Sequence, residues 1–181
     1  RFDVSWNGCG ERYPGGEIFG CWAQEEAGYG DGFGTAQTGG NRVFEDSSFT
    51  NNTSDGLDLL YADGSGSITI RRVRAESNAG NQLKTNGSTS IVNSLIVSDC
   101  GHFEGRYNMS AGDNCRALGN AVSLGMPPNP TVKLDYNTIT GEGACHEAGL
   151  VLVEHQTRQV RDGLTLELVD TDEQDLGVLA G

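Results

Sequence analysis

The segments "ITIRRVRAESN" at 68–78, "SIVNSLIVSD" at 90–99, "NCRALGN" at 114–120 and "VKLDYNTITG" at 132–141 share one pattern. Each alternates apolar and polar residues over a few positions, the period of a half-buried strand, and each ends in a small polar residue. Anchors at Asn52, Asn78, Asp99, Asn120 and Gly141 are separated by 26, 21, 21 and 21 residues. Self-similarity at a nearly fixed period signals a solenoid, in which one repeat cannot bury its own apolar face and stacked neighbours do so together. The expected fold is therefore all-β, a right-handed parallel β-helix with coils of about 21–26 residues. In that arrangement Ile70, Ile91 and Leu134 start strands in three coils and stack, while Phe49, Ala75, Ile96, Ala117 and Ile139 share a second inward position. Asn and Asp suit the turns because they tolerate the left-handed backbone conformation and form side-chain ladders when stacked. A β-sandwich with coincidental spacing is the competing architecture.

Composition agrees with many short strands joined by turns. The 181 residues include 27 glycines, with 36% hydrophobic and 7% aromatic residues, a poor mixture for a helical bundle. The repeat assigns 1–146 to the β-helix, with 1–30 as less regular coils and "RYPGGE" at 12–17 as a turn or loop. Because the chain opens at Arg1 without methionine, this β-helix is expected to be incomplete at its N-terminus. Residues 147–181 lose the repeat and are rich in Asp and Glu, so they read as a terminal coil followed by an acidic cap or tail.

Charge narrows the partners. With 25 acidic and 12 basic side chains the net charge is −13, a field that repels nucleic acid and anionic membranes but leaves carboxylates to bind hard cations. No apolar run is long enough to cross a bilayer as a helix. The cysteines at 9, 21, 100, 115 and 145 contain no CxxC and no zinc-type pairing with histidine, so disulfides are the better reading. Cys9 with Cys21 and Cys100 with Cys115 would close short loops, leaving Cys145 over, in a secreted, extracellular or periplasmic protein.

Three charged side chains recur at related offsets. Asp58 lies six residues after Asn52, Lys84 six after Asn78, and Asp31 about one coil before Asp58. Stacked coils, about 4.8 Å apart, would align them on one ridge with Asp55 beside them. Carboxylates so spaced hold Ca²⁺ through oxygen, and Gly32 and Gly56 permit a tight backbone there.

The segments "DGFG" at 31–34, "VFEDSSFTNNTSDGLDLLY" at 43–61 and "GNQLKTNG" at 80–87 resemble the family-9 pectate lyases. In that family a DGF segment, an NxSDDGxDL segment and a GNGFKLGG segment follow in this order, and here the likeness spans roughly 28–100. The resemblance implies that Asp31, Asp55 and Asp58 are calcium ligands and that Lys84 is the catalytic base. Two departures stand out: Ser54 replaces the first of two adjacent aspartates, and Thr85 and Asn86 follow the lysine in place of Leu and Gly. One carboxylate fewer implies weaker calcium binding.

The implied activity is calcium-dependent β-elimination on polygalacturonate or a related uronide. A lysine side chain titrates at about 10.4 in water, so an alkaline optimum is expected unless desolvation or a nearby cation favours the amine. Two other functions share the scaffold: a non-catalytic β-helix that binds a glycan or protein, and a glycoside hydrolase using carboxylates without a lysine. His102, Arg106 and Tyr107, in the segment that interrupts the coil beyond Lys84, are candidates for one wall of a sugar cleft. Trp6 and Trp22 suit either sugar stacking or burial. The "GYGDGFG" run at 28–34 lacks the Lys-Ser/Thr ending of a phosphate-cradling loop.

Overall fold

The computed structural model describes residues 1–7, 30–78, 80–98, 120–125 and 131–141, with the backbone of strands at 151–154, 165–169 and 178–180. Among these residues every regular element is a strand, and no helix is long and apolar enough to cross a membrane. In chain order the strands are β1 (Asp3–Ser5), β2 (Phe33–Ala36), β3 (Arg42–Glu45), β4 (Ser48–Thr50), β5 (Leu57–Tyr61), β6 (Ser67–Arg71), β7 (Arg74–Glu76) and β8 (Leu83–Asn86). They continue as β9 (Ser88–Val92), β10 (Leu95–Ser98), β11 (Val122–Gly125), β12 (Thr131–Asp135), β13 (Thr138–Gly141), β14 (Val151–Glu154), β15 (Thr165–Val169) and β16 (Val178–Ala180).

Successive coils add one strand to each of three parallel sheets. Sheet A is β1-β4-β7-β10-β13, sheet B is β2-β5-β8-β11-β14-β16, and sheet C is β3-β6-β9-β12-β15. The chain is thus a right-handed parallel β-helix, and its stack runs on through β14, β15 and β16. The core is a set of apolar columns held in register. Phe49, Ala75, Ile96 and Ile139 stack in sheet A and none is more than 3% exposed. Phe44, Ile70, Ile91 and Leu134 stack in sheet C, and Leu57, Leu83 and Val122 in sheet B.

Two details depart from the sequence reading. Ile70, Ile91 and Leu134 do share a column, but at the fourth place of their strands, so Ile68, Thr89 and Val132 form another buried row two residues earlier. The period also breaks after Asp99. Ile96 pairs directly with Ile139, and Ser94 bonds Asn137 across 43 residues, so one long coil stands where two of 21 were expected. That register leaves no rung for Ala117 between Ile96 and Ile139. The physical reason is that the apolar column selects which strands pair, and a parallel stack tolerates an insertion at a corner. Apart from Asn120, the segment "NCRALGN" lies outside the described residues.

Corners are where the backbone is most constrained. Between sheets C and A each coil turns through one left-handed residue, Asp46, Arg72, Asn93 and Tyr136, with φ of 50°, 52°, 49° and 54°. Such a conformation crowds the Cβ of any residue other than glycine, yet only one of these four is an asparagine. The turn is enforced by the neighbouring hydrogen bonds: Ser94 N–H donates to Asn137 Oδ1 at 2.9 Å, and Asn137 Nδ2 donates to the Ile91 carbonyl at 2.8 Å.

Core and corner substitutions should therefore move stability in opposite directions in urea unfolding. Ile96→Ala is expected to cost about 2–5 kcal/mol through the cavity it leaves. Tyr136→Asn, at an exposed left-handed corner, is expected to add about 0.5–1 kcal/mol.

Candidate functional site

The turn from sheet A into sheet B is built from two side-chain ladders. In the first, Asn7 N–H donates to Asn52 Oδ1 at 3.1 Å, Asn52 Nδ2 to Asn78 Oδ1 at 2.7 Å, and Asn78 Nδ2 to Gln82 Oε1 at 2.7 Å. Asn52, Asn78 and Gln82 are fully buried. Gly32 and Gly56 make room for these amides: a Cβ on Gly32 would lie 2.8 Å from Asn52 Nδ2, and one on Gly56 would lie 2.6 Å from Asn78 Nδ2. At the next coil Gln82 replaces the glycine and closes the ladder with its own amide.

The second ladder carries the charges. Phe33 pairs with Leu57 and Leu57 with Leu83, so continuing that register stacks Asp31, Asp55, Asn81 and Asn120 in one column. Asp55 N–H donates to Asp31 Oδ1 at 3.0 Å, and Asn81 donates to Asp55 Oδ1 from its N–H at 2.7 Å and its Nδ2 at 3.1 Å. Asn120 Nδ2 continues the series to Asn81 Oδ1 at 3.2 Å. The neighbouring column is Gly34, Asp58, Lys84 and Ser123. This corrects the expected alignment: Asp31 stands over Asp55, and the residue level with Asp58 is Gly34. The coil from β2 to β5 is 24 residues long rather than 27, which moves Asp31 three positions along the strand from the Asp58 column.

The two columns still converge on one point. Carboxylate oxygens of Asp31, Asp55 and Asp58 all lie within 4.8 Å of one another. Lys84 Nζ stands 3.3 Å from Asp55 Oδ2 and 3.7 Å from Asp58 Oδ2, with 16% of the lysine side chain exposed. Gly34 matters here for its missing side chain, since a Cβ there would crowd Asp31 Oδ2 at 3.3 Å. Each carboxylate is fixed by one oxygen bonded to backbone N–H, with Asp58 Oδ1 accepting from Leu60 at 2.8 Å.

That last bond coincides with an irregularity in β5. Gly34 pairs with Asp58 but Ala36 pairs with Tyr61, so β5 carries one extra residue as a β-bulge. The bulge turns Tyr61 outward, where it is 56% exposed. With Asp31, Gly34, Thr35, Ala36 and Asp58 it lines a cavity of about 400 Å³. The sequence reading missed Tyr61 and Asn81. The run "DLLY" at 58–61 held a signal, because three large apolar side chains in succession break strand alternation. His102, Arg106 and Tyr107, together with all five cysteines, lie outside the described residues.

Electrostatically the cluster is under strain as an anion. Burial pushes the Asp58 carboxyl up from 3.8 to about 6; Lys84 opposes the rise, while Asp55 and Asp31 add to it. An all-oxygen set of three converging carboxylates suits a hard cation such as Ca²⁺, and a bound cation would relieve that repulsion. Comparison with family models, curated proteins and solved structures returned no match to this chain.

The raised Asp58 value has a defined sign. The folded protein holds this proton more tightly than the unfolded chain, so stability from this group is full below pH 3.8 and is lost as pH rises through about 6. Asp58→Asn keeps an acceptor for the Leu60 N–H and removes the charge. In chelator at neutral pH it should be about 1–3 kcal/mol more stable than the wild type, and any calcium that the wild type binds here should be held at least tenfold more weakly. Urea unfolding and calcium titration check the two halves separately.

Proposed function

We propose that this chain is a calcium-dependent polysaccharide lyase that cleaves polygalacturonate or a related uronide by β-elimination. The observation that carries the reading is the position of Lys84: a half-buried lysine whose amine stands 3.3 Å from one carboxylate and 3.7 Å from a second, at the edge of a three-carboxylate cluster. The resemblance of the same segments to the family-9 pectate lyases supports it, and so does the anionic field of the chain, which favours a metal bridge to an acidic glycan.

In this mechanism Asp31, Asp55 and Asp58 hold the cation. Bound calcium supplies the attraction for the uronate carboxylate, the acidity of its C5 proton and a local positive charge that favours the neutral amine of Lys84. Lys84 Nζ takes the C5 proton as a general base. The C5–H electron pair becomes the C4–C5 double bond, and the C4–O bond breaks with its pair leaving on the oxygen of the departing sugar. Asp55 and Asp58 orient Nζ, and their own anchoring by Asn81 and Leu60 keeps that orientation without substrate. The lysine among the carboxylates argues against glycoside hydrolysis, which uses paired carboxyl groups and no lysine base.

Binding without cleavage is the second reading. It is favoured by Ser54 at the position of a further ligand in the resembling family, and by the ion pair that engages Lys84 with Asp55. The same constellation then serves as a calcium-bridged glycan site in a secreted β-helix module.

Polygalacturonate incubated with the protein at alkaline pH should yield unsaturated uronide absorbance with calcium and none with chelator. Lys84→Ala should lower the rate by at least a hundredfold. Product that persists in Lys84→Ala would remove this lysine as the base; a folded protein that binds polygalacturonate with calcium yet yields no product would establish the second reading.

A further inference from the structure

We propose that Tyr61 forms a sugar-stacking subsite beside the carboxylate cluster, receiving the uronide residue that adjoins the one held at Asp31 and Asp58. The proposal rests on the uronide-binding reading above and deepens it. Its support comes from the bulge in β5. Asp58 and Tyr61 are three residues apart, so in a regular strand they would face opposite sides of the sheet. The extra residue between them brings both to the outer side, with Asp58 Oδ1 bonded to Leu60 N–H across the bulge at 2.8 Å. Tyr61 thereby lines the same cavity of about 400 Å³ as Asp31 and Asp58.

The dimensions and chemistry of this cavity suit a chain of acidic sugars. Three residues of strand, one of them bulged, separate Tyr61 from Asp58 by about 7–10 Å, far enough for the two side chains to meet different rings of a chain rather than two groups on one ring. The strand opposite Tyr61 offers Gly34 and Ala36 on that face, so the floor is low. An aromatic ring over a shallow floor takes the C–H face of a pyranose, while the cation held by the carboxylates takes its neighbour's carboxylate. Strand irregularities concentrate beside sites because they re-aim one side chain, and here the re-aimed side chain is the aromatic one.

The test uses galacturonate oligomers of two, four and six units, titrated calorimetrically in calcium into Lys84→Ala protein with and without Tyr61→Ala or Tyr61→Phe. Tyr61→Ala is expected to weaken the dimer, tetramer and hexamer alike, roughly five- to tenfold, while leaving calcium affinity unchanged, and Tyr61→Phe to stay within about threefold. Equal hexamer affinity in Tyr61→Ala, with calcium dependence intact, would overturn the subsite and leave the proposed function standing. A parallel fall in calcium affinity would assign Tyr61 a structural role instead. Failure of the Tyr61-containing protein to bind any oligomer in calcium would overturn both.

Discussion

The corner between sheets A and B is the constraint on which the rest of this structure depends. A parallel stack must satisfy every backbone N–H that the turn removes from the sheet ladders, and buried ones left without a partner would each cost about 1–3 kcal/mol. Here the acceptors come from Asn and Asp side chains one coil away. Asn78 bonds the N–H of Asn52, Asp31 that of Asp55, and Asp55 that of Asn81. The bonds that close the corner thereby also aim the carboxylates.

The two ladders run in opposite senses along the helix axis. In the Asn52 series the N–H groups of Asn7 and Asn52 donate to the following coil, whereas in the Asp31 series each donates to the preceding one. Donors of the second series consequently point at Asp55 and Asp31, while Asp58, three positions along the strand, accepts from the Leu60 N–H and stands beside Lys84. The burial of Asp58 raises its proton affinity more than Lys84 and the Leu60 N–H lower it.

Much of this was legible in the chain itself. Apolar spacing identified the columns of Ile70, Ile91 and Leu134 and of Phe49, Ala75, Ile96 and Ile139, because burial in a stack depends on side chains that repeat in register. Asp31, Asp55, Asp58 and Lys84 were likewise identifiable as neighbours. The exact column of Asp31 was not, since a coil of 24 residues differs from one of 26 only at its turns, where many compositions satisfy the same hydrogen bonds. Arg72 and Tyr136 hid the left-handed corners for the same reason: the surrounding bonds impose a conformation that neither residue prefers. The long coil escaped notice because "NCRALGN" imitates the strand pattern at the expected period.

A rung of the charged ladder accepts the same backbone N–H whether it is Asp or Asn, as Asp55 and Asn81 demonstrate at successive coils. Exchanging one for the other changes the local charge by a unit and leaves the corner's geometry in place. The scaffold is therefore indifferent to the valence of the site it carries. Drift at these rungs can therefore change the charge of the cluster while the hydrogen bonds that close the corner persist, so the fold does not by itself hold that charge fixed.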